Sequence, residues 1–156
     1  MLRSELALTG TTYITLHQSH HHTMHQPYEK RLGHPADFRV KYTFLDKQEG
    51  GREMLPFQGI RSDFWYDYPF HETKGIFMIW PEFEDQSGNV ILDDTVSVPK
   101  TGTALMWIIN DVRRIYHRGK IQVGTKGYFR EGAMTTALCE IIEIIGLLTN
   151  PITGKR

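Results

Sequence analysis

The chain has 156 residues and a mass of 18.1 kDa, a single-domain length that can bury a core without disulfide or metal staples. Eighteen Lys and Arg residues balance eighteen Asp and Glu, so the formal net charge is zero, and any nucleic-acid role has to rest on a local patch. The single cysteine excludes a disulfide framework and a cysteine-built zinc ribbon, and it suits a reducing compartment such as the cytoplasm.

Residues 1–36 are rich in Thr, His, Gln and Ser, with turn signals at Pro27, Gly33 and Pro35, and read as a poorly ordered tail. The first sixteen residues include Glu5 and several threonines, which does not fit a secretory leader. No apolar run approaches the roughly 18 residues of a membrane-spanning helix. Five of the eight histidines lie between His17 and His25. Imidazoles bind transition metals, yet crowded histidines in a flexible segment define no coordination geometry. The cluster equally resembles a purification handle, or a start placed too early with the true beginning at Met24. No metal site is therefore assigned.

The texture changes at residue 37, where a body begins that runs to 149, followed by a short tail over 150–156. Phe38, Val40, Tyr42 and Phe44 alternate with Arg39, Lys41 and Thr43, which predicts a half-buried strand. Glu49-Gly50-Gly51-Arg52 reads as a loop. Phe64, Tyr66 and Tyr68 alternate with Asp63 and Asp67 in a second strand, a phase that puts Trp65 on its outer face beside carboxylates. An exposed tryptophan there would be an anchor for a protein contact, core packing being the default for tryptophan. Ile76 to Trp80 is a buried run closed by Pro81. Glu82-Phe83-Glu84-Asp85 and Asp93-Asp94 read as solvated acidic turns, and Asp85 to Asn89 as a tight turn. Ala104 to Ile109 is apolar on both faces, as a central strand is. Arg113-Arg114-Ile115-Tyr116-His117-Arg118-Gly119-Lys120 carries four permanent positive charges in eight residues, with a tyrosine able to stack on a base. Its alternatives are a solvated loop and a contact to RNA or an acidic protein. Tyr128-Phe129 marks another strand, ending at Arg130-Glu131-Gly132. Leu138, Ile141, Ile142, Ile145 and Leu148 fall at helical spacing, whereas the isoleucines favour strand, and periodicity alone leaves that segment open. Short strands separated by turns predict an all-β barrel or sandwich.

Two segments carry a family resemblance. Lys47-Gln48-Glu49-Gly50-Gly51-Arg52 followed by Pro56-Phe57-Gln58-Gly59-Ile60-Arg61-Ser62-Asp63-Phe64-Trp65-Tyr66 resembles the K-E-E-G-G-R and F-x-G-Y-R-P-Q-F-Y-F stretch of the C-terminal, third domain of elongation factor Tu. Gly124 to Gly132 resembles that family's G-x-x-F-x-x-R-E-G segment, and Ala133 to Ile145 its last strand. The resemblance implies a six-stranded antiparallel barrel over about residues 38–146, with 134–146 as the closing strand. It also implies a domain standing without its GTPase, because no G-x-x-x-x-G-K-[ST] phosphate loop is present to bind a nucleotide.

In the family this barrel packs on protein partners and holds one side of a tRNA backbone. The positions carried over or standing in the local patch are Arg52, Arg61, Asp63, Trp65, Arg113, Arg114, Arg118, Lys120, Arg130 and Glu131. The motif glycines supply loop conformations, and the arginine and glutamate of the motifs can tie strands together. Ser62-Asp63 stands where the family has Pro-Gln, and Met134, Ala137 and Cys139 stand where its last strand has an arginine and two glycines. An aspartate repels phosphate and side chains block close backbone approach, so these departures favour a protein partner over RNA. The expected function is a non-catalytic binding module in the cytoplasm, without cofactor, contacting a translation component or a toxin. The alternative is an RNA- or tRNA-contacting module. Cys139 lies in an apolar strand with no histidine beside it in sequence, and no nucleophile–base pair or paired carboxylates emerge, so no catalytic residue is assigned.

Overall fold

The alternation at residues 38–44 is realised as drawn. In the computed structural model, which describes residues 24–71 and 76–153, strand β1 spans Phe38–Phe44, with its four aromatic and aliphatic side chains buried. It is followed by β2 (Asp63–Tyr66), β3 (Ile79–Phe83), β4 (Thr101–Ile108), β5 (Lys126–Glu131) and β6 (Met134–Ile144). All neighbours are antiparallel, in the order β2-β5-β6-β1-β4-β3. The sheet curls until its two edges touch at Phe64 and Phe77, which exchange backbone hydrogen bonds of 2.8 and 3.0 Å. The protein is thus all-β, a six-stranded antiparallel sheet curled into a barrel whose edges are joined, among the described residues, by one bridge.

The interior is aromatic. Tyr42, Phe44, Phe64, Phe83 and Phe129 pack with centroids 5.2–6.2 Å apart, the edge-to-face and tilted contacts that aromatic quadrupoles favour. Gly127 makes this possible on β5: a Cβ there would lie 2.5 Å from the Phe64 ring.

Residues 134–144 form a strand, not a helix. The apparent helical spacing comes from an irregularity opposite Arg39 and Val40, whose partners are Glu143 and Ile141, so that Ile142 is skipped. A strand whose alternation restarts at a bulge places apolar residues at uneven intervals. Pro81 also departs from expectation, because it lies inside β3 where a terminator was read. The strand is at the sheet edge, where the missing N–H deprives no neighbour of a ladder bond.

Of the expected tail, residues 1–23 lie outside the described residues, but 24–36 do not behave as one. Helix α1 (Tyr28–Leu32) ends at Gly33, whose φ of 78° lets its N–H reach the Glu29 carbonyl at 2.9 Å. Tyr28 and Ala36 cover Trp107 on the outside of β4, forming a second small core. Glu82 fastens this layer, accepting from His25 Nε2 at 2.5 Å, the Tyr28 N–H at 3.0 Å and Trp107 Nε1 at 3.1 Å. Glu82 and Glu84 are accordingly buried and not in a solvated turn. Glu84 accepts from Arg39 Nε at 2.9 Å and from the Thr103 hydroxyl at 2.8 Å. Asn150 and Leu147 are buried as well, so the C-terminal segment through Thr153 is packed on the barrel.

Candidate functional site

The basic segment 113–120 is the strongest charged feature of the sequence, and the fold divides it. Asp111–Arg113 forms a 3-10 turn continued by helix α2 (Arg114–His117), where a solvated loop was one expectation. Arg114 is completely buried. Its Nε donates to Asp37 Oδ1 at 2.6 Å, Nη1 to the Pro151 carbonyl at 2.5 Å and Nη2 to the Ile108 carbonyl at 3.2 Å. Arg118 holds the chain end too, donating to the carbonyls of Leu147 at 2.7 Å and Asn150 at 2.9 Å. Lys120 donates to the Tyr116 carbonyl and lies 4.1 Å from that ring, while Arg113 stacks over its centroid at 5.1 Å. Arg114 is therefore removed from any surface patch, and Arg118 has its donors turned inward. Both were placed at a surface because their acceptors lie far away in sequence.

The two motif segments of the family resemblance meet in space. Arg52 Nη1 contacts both Glu131 oxygens at 2.7 and 2.8 Å, although 79 residues separate them. This ties the 45–62 loop to the end of β5. Gly51 has no room for a side chain, since a Cβ would lie 2.2 Å from the Leu45 carbonyl oxygen. Asp63 pairs with Arg130 across β2 and β5, and burial raises its carboxyl above the ordinary range. Arg130 Nη2 donates to the Ala133 carbonyl. Arg61 is exposed and stacks over Trp80 at 5.0 Å.

Trp65 does alternate out of phase with Phe64 and Tyr66, but it is not an exposed anchor. It stacks on Phe77 at 5.2 Å and 8°, touches His71 at 4.4 Å and is half-buried. Sequence alternation gives its face correctly but not the packing of His71 and Phe77 against it.

Away from the layer over Trp107, the outer face of β1, β6, β5 and the first residues of β4 is not covered by any other described residues. An open groove of about 710 Å³ crosses it. Register builds it in two rows. Tyr128, Leu138, Thr43 and Thr101 are cross-strand neighbours in one, and Lys126, Glu140, Lys41 and Thr103 in the other. Lys126 pairs with Glu140 at 3.1 Å, and this bond, then the charges of Lys126 and Lys41, hold the Glu140 carboxyl below its ordinary range. Two lysines against one glutamate leave a local positive excess beside Tyr128 and Leu138. None of these residues was singled out from the sequence. The alternation that predicted β1 also identified Lys41 and Thr43 as outward-facing, but the groove needs the register of three further strands.

The remaining chemistry is internal. His17, His20, His21 and His22 lie outside the described residues, and His25 is engaged by Glu82. Among the described residues no group of three or more His, Cys, Asp or Glu side chains is placed to hold a metal ion. Cys139 is buried in β6, where burial pushes its thiol well up, so a reactive thiolate is not formed. His117 is buried against Tyr66, whose hydroxyl lies 2.7 Å from Nδ1. Burial, then the charges of Arg113, His71 and Lys120, lower its pKa to about 3. His71 bridges the Tyr116 hydroxyl at 2.8 Å and the Tyr66 carbonyl at 2.9 Å. Among the described residues no helix is long and apolar enough to cross a membrane.

No protein-family model matches this chain, and no curated protein matches it.

Proposed function

We propose that the protein is a non-catalytic binding module of the elongation factor Tu third-domain type, acting in the cytoplasm, which contacts a protein partner through the outer face of its barrel. The observation that carries this reading is the open groove over β1, β6, β5 and the start of β4, where Tyr128 and Leu138 lie beside a charged row. Tyr128 and Leu138 supply an apolar anchor, and Lys41 supplies a charge that an acidic group on the partner would meet. The meeting of Gly51-Arg52 with Arg130-Glu131 at the Arg52–Glu131 pair supports the family type, since both motifs then serve one joint. A translation component or a toxin remains the partner class.

RNA is the weaker reading. Counterion release needs accessible cations, and Arg114 and Arg118 have their guanidinium donors on Asp37 and on backbone carbonyls. The test is affinity capture from the native host with the wild-type chain and with Leu138→Glu/Lys41→Glu as baits, each with and without nuclease. A partner retained after nuclease and lost with the double variant supports the proposal. A partner lost with nuclease, or retained by the variant, refutes it.

A further inference from the structure

A second, smaller cavity lies where β3 starts and β4 gives way to the 3-10 turn. It encloses about 300 Å³ and shares no lining residue with the outer-face groove. Its apolar wall is Phe77, Ile79 and Ile108, all nearly inaccessible, and its rim is Ile76 and Met78, which are 40% and 52% exposed. Large aliphatic side chains at such exposure around a concave site are the usual lining of a small-ligand pocket.

Three polar residues complete the lining: Asn110, Arg113 and His117. The Tyr66 hydroxyl meets His117 Nδ1 at 2.7 Å. Among the described residues the buried phenol has no other acceptor for its proton, so it donates to His117. The imidazole is neutral, and its one proton then resides on Nε2. Among the described residues no Asp or Glu lines the cavity. One permanent cation, an amide and an imidazole N–H, over an apolar wall, match one delocalised negative charge attached to hydrocarbon. A phosphate would bring up to two charges against the single Arg113 and no use for the wall.

The geometry points to a binding site for a carboxylate bearing a short apolar group, the carboxylate on Arg113 and Asn110 and the hydrocarbon against Phe77, Ile79 and Ile108. The same chemistry is presented by a small free acid and by the last residue of a peptide ending in Leu or Val. The site does not depend on the outer-face groove, so either assignment stands or falls alone.

The test is a heteronuclear NMR titration of the full chain with four probes: isovalerate, isovaleramide, N-acetyl-Ala-Ala-Leu with a free C-terminus and the same peptide amidated. Saturable shifts at the Ile108, Asn110 and Arg113 amides are expected with both acids, at affinities in about the millimolar range for such small ligands. The amides are expected to bind about tenfold more weakly or not at all, because the bidentate charge-assisted contact is lost. Arg113→Gln should weaken the acids by about the same factor. Asn110→Asp, which places a carboxylate in the site while retaining a residue suited to a helix N-cap, should abolish acid binding with the melting temperature preserved. Tighter binding of the peptide acid assigns the ligand to chain termini, and tighter binding of isovalerate to free acids. Both outcomes support the site. Equal binding of acid and amide, undiminished binding by either variant, or no saturable shift well above the millimolar range overturns it.

Discussion

Replacing Arg114 by methionine tests whether the basic segment belongs to the interior. Methionine keeps much of the side-chain volume but leaves the Asp37 carboxylate with only the Ile108 N–H at 2.8 Å and the Asn150 amide at 3.0 Å. It also strips donors from the carbonyls of Pro151 and Ile108. Breaking a buried ion pair by removing one partner costs about 3–5 kcal/mol, a large share of the roughly 5–15 kcal/mol that holds a domain together. With a urea dependence of about 2 kcal/mol per molar, a loss of 4 kcal/mol lowers the unfolding midpoint by about 2 M. Urea titrations followed by far-UV circular dichroism read this directly. A second arm separates stranded charge from lost packing: Asp37→Asn in the Arg114→Met background removes the uncompensated carboxylate and should recover at least about 1 kcal/mol. A loss below about 1 kcal/mol for Arg114→Met, or a double variant no more stable than the single, refutes the reasoning. It would return Arg114 to the surface.

His117 makes stability depend on pH in a known direction. Its folded pKa of about 3 lies below the 6.5 of the unfolded chain, so its contribution is full above pH 6.5 and is lost as pH falls toward 3. By pH 5 the loss is about 2 kcal/mol, and His117→Asn, which can still accept from Tyr66, should show that much less acid destabilisation in matched urea titrations at pH 7 and 5. Equal slopes in both proteins contradict it. Gly51→Ala should cost about 1–3 kcal/mol, because the new Cβ meets backbone atoms of Leu45 that cannot rotate away; thermal unfolding checks it, and an unchanged melting temperature argues against that approach.

What could be read in advance depended on how local its cause was. The alternation over residues 38–44 defines β1 because each side chain's face is set by its own position in the pleat. In residues 134–144 the same rule is masked by the skip at Ile142, and the isoleucine content was the better guide than the spacing. Charge misled wherever its partner was remote in sequence. Arg114 finds Asp37 from 77 residues away, and Glu82 finds His25 from 57. Neither pairing leaves a trace in composition, and a charged residue without a visible partner is read by default as solvated. Trp65 shows the intermediate case, with its face inferred from phase and its cover supplied by Phe77 and His71. The groove residues escaped notice because each is unremarked singly and only register sets them side by side.

Among the described residues one bridge, Phe64 to Phe77, joins the sheet's edges, which makes the barrel mechanically a split ring. Strands β5, β6, β1 and β4 are each paired along both edges and form a stiff arc, while β2 and β3 are the free ends brought together at one joint. The groove rests on the arc, on strands paired along both edges. The small cavity includes Phe77 itself. Phe77 therefore belongs both to the wall of that cavity and to the joint, so the cavity lies at the seam of the ring.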